Sequence, residues 1–392
     1  MLTVVVVLLT LVYASDRLLK VMLVGRFFAS PVPTLPAGVA PTVVLIQPVT
    51  RGATNLSANL TARAALNYPG TVRHLIVCDA GDSDSQAVCR AALPGAEIVL
   101  VEPDLPGAPL ATKVAKMAAG VARLGADADV VCFVDDDIAL PPDALIALVA
   151  PLYAVLPAGA TFGLACQMSW STPWESLMSG FVNANALTGY VPLTFFTPPY
   201  TLTGHVFALR RDVFERAGGM VGLEKRFDDD HEIARRVRAL GLQLSQTPLV
   251  YGVANALPSL AAYRLQMRRW FVMPRQGMAA NLTPKERVVS ALLSVGNLIP
   301  PALLLCAILA PSRVTLSAVV VAFAAFLACY LHLENRHLPA RTPYRGVLLL
   351  PVVAFLTPLH ILIALLLPGN RITWRGRTYE ARPGGGLEPT DE

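Results

Sequence analysis

Residues 1–15 read MLTVVVVLLTLVYAS and carry no charge. Asp16, Arg17 and Lys20 follow, and then a second apolar piece from Val21 to Ala29. Taken as one helix, this stretch spans ~30 Å of hydrocarbon with charges near its inner end. No positive charge precedes the apolar run and no clear small-x-small site follows it, so residues 1–30 read as an uncleaved anchor rather than a signal peptide. Three more apolar segments stand at the other end of the chain: Val288–Ala310, Val314–Leu333 and Val347–Leu367. Each has about the ~20 residues that a spanning helix needs. Pro300-Pro301, Pro351 and Pro358 are expected to kink or interrupt two of them, which backbone covered by protein or water tolerates. The whole composition agrees, since 54% hydrophobic and 15% charged residues with a mean hydropathy of +0.53 are too apolar for an ordinary soluble chain of 392 residues.

Between the anchor and the late cluster lies a region of soluble composition, residues 40–260, followed by an amphipathic stretch at 261–285; the cluster occupies 286–370 and a basic tail 371–392. Arg17, Lys20 and Arg26 on one side and Lys285 and Arg287 on the other place the soluble region in the cytoplasm by the positive-inside rule, and a bacterial inner membrane is the expected location. One conflict follows. Three full crossings after the domain would export the tail, with Arg371, Arg375, Arg377 and Arg382, unless one Pro-broken segment re-enters without crossing. The six cysteines form no Cys-x-x-Cys pair and no zinc-like spacing, so reduced, mostly apolar thiols are expected. The net charge of +5 is dispersed and gives no nucleic-acid footprint, whereas basic residues beside spans suit anionic lipid.

Within the soluble region, short β-branched runs alternate with helical periodicity. Strands are predicted over 42–47, 72–78, 97–101 and 130–134, and helices over 55–66, 84–93 and 112–124. That alternation implies an α/β, Rossmann-like, mainly parallel sheet covered on both faces, with ligands collected beyond the carboxyl ends of its strands. Asp79 directly follows the second strand, and Asp135-Asp136-Asp137 follow the fourth. A turn or a cap on the helix near Pro141-Pro142, made by Asp137 or Asp143, is the plainest explanation of such acids. Three exceed what a cap needs. An Asp-x-Asp arrangement lets two carboxylates reach a hard divalent ion whose other positions go to water and diphosphate. No Gly-x-x-x-x-Gly-Lys loop is present to cradle a P-loop nucleotide.

Two further stretches narrow the chemistry. In RFDDDHEIARRVRALG, Asp228, Asp229, Asp230 and Glu232 open a helix whose apolar positions Ile233, Val237 and Leu240 recur at helical spacing. Helix N-termini favour acids, which accounts for one or two of the four; a carboxylate held near the reacting centre as general base accounts for more. In YRLQMRRWFV, Gln266, Arg269 and Trp270 fit an interfacial amphipathic helix with Arg at headgroups and Trp at the belt, or a substrate-closing element, and the two roles are compatible.

Asp79, Asp135 to Asp137, Asp230 and Gln266-x-x-Arg269-Trp270, in this order, resemble the D, DxD, D, (Q/R)xxRW series of membrane-bound inverting GT-A glycosyltransferases. Within that group the chain is most similar to the ceramide glucosyltransferase family. The likeness extends through PVTRGATNLSANL, LNYPGTVRHLIVCDAGDSD, TGHVFALRRDVFERAGG and the tail ITWRGRTYEARPGG, so it covers nearly the whole chain. It implies a GT-A domain, a UDP-sugar donor with UDP-glucose first in line, a divalent cation (Mn2+ or Mg2+), and a membrane lipid acceptor, ceramide or similar. The related bacterial enzymes that glycosylate hopanoid polyols, with UDP-N-acetylglucosamine, are the alternative. A processive polysaccharide synthase would need more spanning helices than the four at most available here. Carried over by position, Asp79 meets uracil or ribose, Lys113 lies near donor or diphosphate, and Asp135 contacts ribose or sugar. Asp135 and Asp137 are both candidate metal ligands. Gln266, Arg269 and Trp270 serve substrate binding, with the last two closing over the diphosphate, and Asp230 is the general base.

Between Gly180 and Phe207 the chain is nearly uncharged though it lies inside the soluble region. It is either core or an apolar surface that receives lipid tails. Pro198 and Pro199 break strand and helix alike, so Phe195 to Tyr200 is expected as a loop at the membrane surface.

Overall fold

The computed structural model describes residues 1–103, 110–254, 256–366, 369–374 and 377–390. Leu367 and Arg375, named above, lie outside the described residues. The first helix, α1 (Leu2–Ala29), is unbroken. After it β1 (Val43–Pro48), α2 (Leu56–Ala64), β2 (Val72–Asp79), α3 (Ser83–Ala92), β3 (Glu97–Val101), α4 (Lys113–Val121) and β4 (Val130–Val134) alternate as the sequence predicts, with strand ends within one residue of the expected ones. The second half of the domain is less regular. It comprises β5 (Ile138–Ala139), α5 (Ala144–Val149), β6 (Ala160–Gln167), α6 (Pro173–Asn185), α7 (Val191–Leu193), β7 (Val206–Arg210), α8 (Arg211–Arg216), α9 (Asp229–Ala239) and β8 (Leu244–Val253).

These eight strands form one sheet in the order β3-β2-β1-β4-β7-β6-β8-β5. β3, β2, β1 and β4 are parallel, as are β6 and β8, while β7 runs antiparallel to both its neighbours. The α/β expectation therefore holds. Period-two alternation explains the two cores. Val44 and Ile46 of β1 belong to one core with Met117 of α4 and the α8 and α9 side chains Phe214 and Val237, whereas Val43 and Leu45 belong to another with Leu145 and Leu148 of α5. A strand buried on both faces has no reason to alternate apolar with polar residues, and β1 does not. Chain order reverses between β1 and β4, which opens a crevice at their carboxyl ends.

From 260 to 366 the elements are helical: α10 (Leu260–Gln276), α11 (Pro284–Val295), α12 (Ile299–Leu309), α13 (Arg313–His337), α14 (Tyr344–Val347), α15 (Leu350–Phe355) and α16 (Thr357–Leu366). Among the described residues three stretches are long and apolar enough to cross a membrane: Leu2–Ala29, Pro284–Leu309 and Arg313–His337. A bent pair, Tyr344–Phe355 with Thr357–Leu366, turns by 46°. The prolines act as expected. Pro300 and Pro301 lie in the first turn of α12, after a 3-10 turn at Gly296–Leu298, and Pro351 lies in the first turn of α15. First-turn prolines lose no helical hydrogen bond, so each marks a restart. The charges within α1 are satisfied laterally: Arg17 donates to Asn297 Oδ1 at 3.1 Å and Lys20 to the Leu293 carbonyl at 2.8 Å, and both pair with Asp16.

The domain docks on one end of this helical cluster. Phe28, at the end of α1, stacks on His337 at the end of α13, and Glu286 at the start of α11 pairs with Arg238 of α9. The basic tail is folded. It forms an antiparallel sheet of β9 (Arg371–Trp374), β10 (Arg377–Ala381) and β11 (Leu387–Pro389), packed through Ile372, Tyr379 and Ala381 on Val272 of α10 and on Phe227. The bent pair therefore begins and ends on the domain side of the cluster.

Candidate active site

Each acid at the end of β4 has its own surroundings. α2 holds the turn from behind: Arg63 donates to the Asp135 carbonyl at 3.0 Å and Asn59 to the Asp136 carbonyl at 3.0 Å. Asp135 pairs with Lys113 at 2.8 Å. The Asp136 carboxylate accepts from the Thr50 amide in the loop after β1. Asp137 is different, because its Oδ1 is buried without a hydrogen-bond partner. Burial, then repulsion from Asp135 and Asp136, pushes its carboxyl up to about 7. Asp143 occupies the N-cap of α5 without making a side-chain capping bond and accepts from Asn67 instead, so capping does not account for these acids.

The second acid run opens α9 across the same cavity. Asp228 pairs with Arg226 at 2.9 Å, and Glu232 is engaged by Arg235 and Arg236. Asp229 is buried with an unpartnered Oδ2. Asp230 accepts from the His231 amide at 2.8 Å, and burial, with Asp229 beside it, raises its carboxyl to about 7. A carboxylate at that value is poised to take a proton near neutrality. Gly204 lies so close that a Cβ there would sit 2.9 Å from Asp230 Oδ2, so only glycine leaves the carboxylate its place. Lys113 links the two runs. It donates to the Gly204 carbonyl at 3.0 Å, and although burial opposes its charge, Asp135, Asp229 and Asp230 carry its pKa above the ordinary lysine value. Two clusters of like charge thus share a cavity because one cation stands between them.

That cavity, about 580 Å3, is lined on the polar side by Lys113, Asp135, Asp137, Asp229, Asp230 and Arg269. Its volume suits a nucleotide-sized ligand. Trp270 lies on its wall as well. Gln266 is one helical turn behind Arg269 and accepts from its guanidinium at 2.9 Å, which orients it. Asp79 is not a wall residue. It is 2% exposed, its Oδ1 accepts from the Ala111 amide at 2.6 Å and its Oδ2 pairs at 2.7 Å with Lys116, which is 1% exposed. Lys116 also donates to the Val49 carbonyl at 2.6 Å and so ties β1 to β2 at their carboxyl ends. Sequence reasoning singled out Lys113 and passed over Lys116, although three residues on one helix put both on one face. It also missed Arg63, whose only sequence signal is a helical position, and it had Gly204 only as part of TGHVFALRRDVFERAGG, because the need for glycine there appears only with Asp230 opposite.

The other wall of the cavity is apolar: Phe181, Val182 and Ala186 from α6 and the π-turn after it, then Tyr190 and Leu164. Residues 180–193 are helical and largely buried, and the expected loop over 195–200 follows α7 as turn and irregular backbone. There Phe195 and Phe196 are 37% and 45% exposed. Arg26, near the end of α1, lies 5.9 Å from the Phe195 ring.

Among the described residues no group of three or more His, Cys, Asp or Glu could hold a metal alone. The orphaned Asp137 oxygen does fit a cation held by one carboxylate with phosphate oxygens and water, which is how magnesium-type sites are built.

A sheet of this order, with carboxylates converging on one cavity beyond β1 and β4 and apolar helices beside it, defines a GT-A-like glycosyltransferase of the membrane-associated kind. The chain belongs to glycosyl transferase family 21, which matches residues 2–387. No curated protein matches it significantly in sequence. Among solved structures it is similar to the mannosyltransferase PcManGT from Pyrobaculum calidifontis in complex with GDP-Man and Mn2+, at 16% identity and a TM-score of 0.50 over 86% of this chain and 99% of that one. A mycobacterial protein matches at 18% identity and a TM-score of 0.37, over 62% of this chain and 83% of that one.

Proposed function

We propose that the protein transfers glucose from UDP-glucose, with inversion, to a hydroxyl of ceramide, giving glucosylceramide. The observation that carries this reading is the pairing, in one cavity, of the Lys113, Asp135 and Asp137 group with Asp230 and an apolar wall that runs toward α1. The acceptor oxygen attacks C1, the C1–O bond to the diphosphate breaks with its electron pair going to UDP, and the acceptor proton passes to the Asp230 carboxylate. Attack opposite the leaving group inverts the anomeric centre. Lys113 and Arg269 offer charged donors to the diphosphate, Trp270 covers it, and Gln266 steadies Arg269. Asp135 faces ribose or sugar. Asp79 stands on the nucleoside side of the crevice and acts on uracil or ribose chiefly through the loops it pins, since both its oxygens already accept hydrogen bonds.

A divalent cation, Mn2+ or Mg2+, belongs at Asp137 with Asp135 beside it, and when bound it neutralises charge on the departing diphosphate. Mn2+ and GDP-Man in the mannosyltransferase neighbour support a cation and a nucleotide sugar here. Three crossings and a re-entrant bent pair leave domain and tail together on the cytoplasmic face of a bacterial inner membrane. Purified protein incubated with radiolabelled UDP-sugars and extracted lipids tests the reading. Labelled glucosylceramide supports it, and label on a hopanoid polyol from UDP-N-acetylglucosamine replaces it with the alternative. Label in no lipid removes it.

A further inference from the structure

The tail is joined to both arms of the candidate site. On the acid side, the Phe227 amide donates to the Gly385 carbonyl at 3.3 Å, and Arg226 forms an antiparallel bridge with Gly386. On the α10 side, the Gly384 amide donates to the Gln276 carbonyl at 2.8 Å. Gln276 Nε2 donates to Asn370 Oδ1 at 2.7 Å, and Arg275 donates to the Gly369 carbonyl at 2.7 Å and to Asn370 Oδ1 at 3.2 Å. A small apolar core of Phe227, Val272, Ile372 and Ala381 seals the junction. Gly385 has φ +92, and a Cβ there would collide with the Asp228 carboxylate and the Arg226 guanidinium.

The segment that needs holding is the one with least structure of its own. Residues 217–228 are turns and bends leading to Asp228, Asp229 and Asp230, which repel one another. Ordering irregular backbone costs about 1–2 kcal/mol per residue, and a misplacement of about 1 Å at a reacting centre can cost on the order of 10² in rate. We propose that the C-terminal three-stranded sheet is a positioning element of the active site, which sets the Asp228–Asp230 segment against the helix carrying Arg269 and Trp270. Gly385, Asn370 and Ile372 are positioning residues that touch neither donor nor acceptor. The kinetic consequence rests on Asp230 being the base, whereas the tether itself does not.

The test uses the full chain in nanodiscs, as wild type and as Gly385→Val, Asn370→Ala and Asn370→Asp. Hydrogen–deuterium exchange of peptides covering 226–232 and 266–276 reads the tether without reference to activity. Both should lose protection in Gly385→Val, and β1 and β4 should not. With the sugar–lipid pair that wild type turns over, kcat should fall ~10- to 100-fold in Gly385→Val with donor KM within about threefold. Asn370→Ala should fall ~10-fold and Asn370→Asp, which keeps the acceptor, should stay near wild type. If Gly385→Val misfolds, the Asn370 pair carries the test. Unchanged exchange in the variants, lost protection with wild-type kcat, or Asn370→Asp as impaired as Asn370→Ala each overturns the proposal. Wild type that transfers no sugar sinks the proposed function instead, and the exchange result then decides the tether alone.

Discussion

The sequence Asp-Asp-Asp occurs twice, at 135–137 and at 228–230, and the two copies do different things. The first ends a buried parallel strand, and neighbouring elements divide it: Asp135 to Lys113, Asp136 to the Thr50 amide, Asp137 left with a buried unpartnered oxygen. The second begins a helix and is divided by its own flank: Asp228 to Arg226, Asp230 to the His231 amide. A strand end offers its side chains to whatever lies beyond the sheet, whereas a helix start supplies amides of its own. On the proposed reading, identical tripeptides supply a cation ligand at Asp137 and a proton acceptor at Asp230, although Asp229 of the second copy also keeps a buried unpartnered oxygen. Lys113 keeps the two from repelling each other apart.

The largest expected effect separates the copies by role. Asp230→Asn removes the proton acceptor while keeping the size, so transfer should fall ~10² to 10⁴-fold with UDP-sugar affinity little changed, as read by initial rates and by calorimetry. The same group sets a pH limb. Because the Asp230 carboxyl is raised to about 7, the active ionised form is lost as pH falls, and wild-type kcat should drop about tenfold per unit below that value. Near-full transfer by Asp230→Asn, with loss in Asp229→Asn, would move the base one residue back.

Next in size is the first copy. Asp137→Asn should cut turnover on the order of 10² and weaken its dependence on Mn2+ or Mg2+, while Asp136→Asn, whose carboxylate accepts from the Thr50 amide, should cost far less. EDTA should abolish wild-type turnover and either cation restore it. Full activity in EDTA breaks the contrast between the copies at its cation end.

A smaller loss is expected at Arg269. Charged hydrogen bonds are worth ~1.5–3 kcal/mol, so Arg269→Ala should lower turnover about 10- to 100-fold with the protein still in the membrane fraction. Failure to insert would mark Arg269 as an anchor instead. The smallest effect belongs to the exposed turn after α7, beside the cavity rather than on its wall. Replacing Phe195 and Phe196 by Ser should raise the lipid KM several-fold and spare UDP-sugar binding, because both rings are already partly exposed and little core is lost. Equal damage to both functions would return these rings to the core.

Much of this was legible in the linear chain. Apolar β-branched runs bounded by turn residues form strands from local and sheet-general causes, and β1 to β4 follow them closely. The position of Asp79 and Asp135 at strand ends, the restarts at Pro300 and Pro351, and the one-turn spacing of Gln266 and Arg269 are equally local. Partner choice is not. Asp79 lies 37 residues from Lys116 along the chain and meets it because β2 and α4 pack side by side. Arg63 reaches the Asp135 carbonyl across a separation of 72 residues. The basic tail shows no strand pattern strong enough to predict its sheet, because its arginines and glycines dominate its composition. Its fold depends on Ile372, Tyr379 and Ala381 finding Val272 and Phe227, which no window of sequence contains. Local chemistry determined which elements form and which atoms they carry. Burial between distant elements decided which of those atoms are paired, which stand open to a ligand, and which side of the helix cluster the chain ends on.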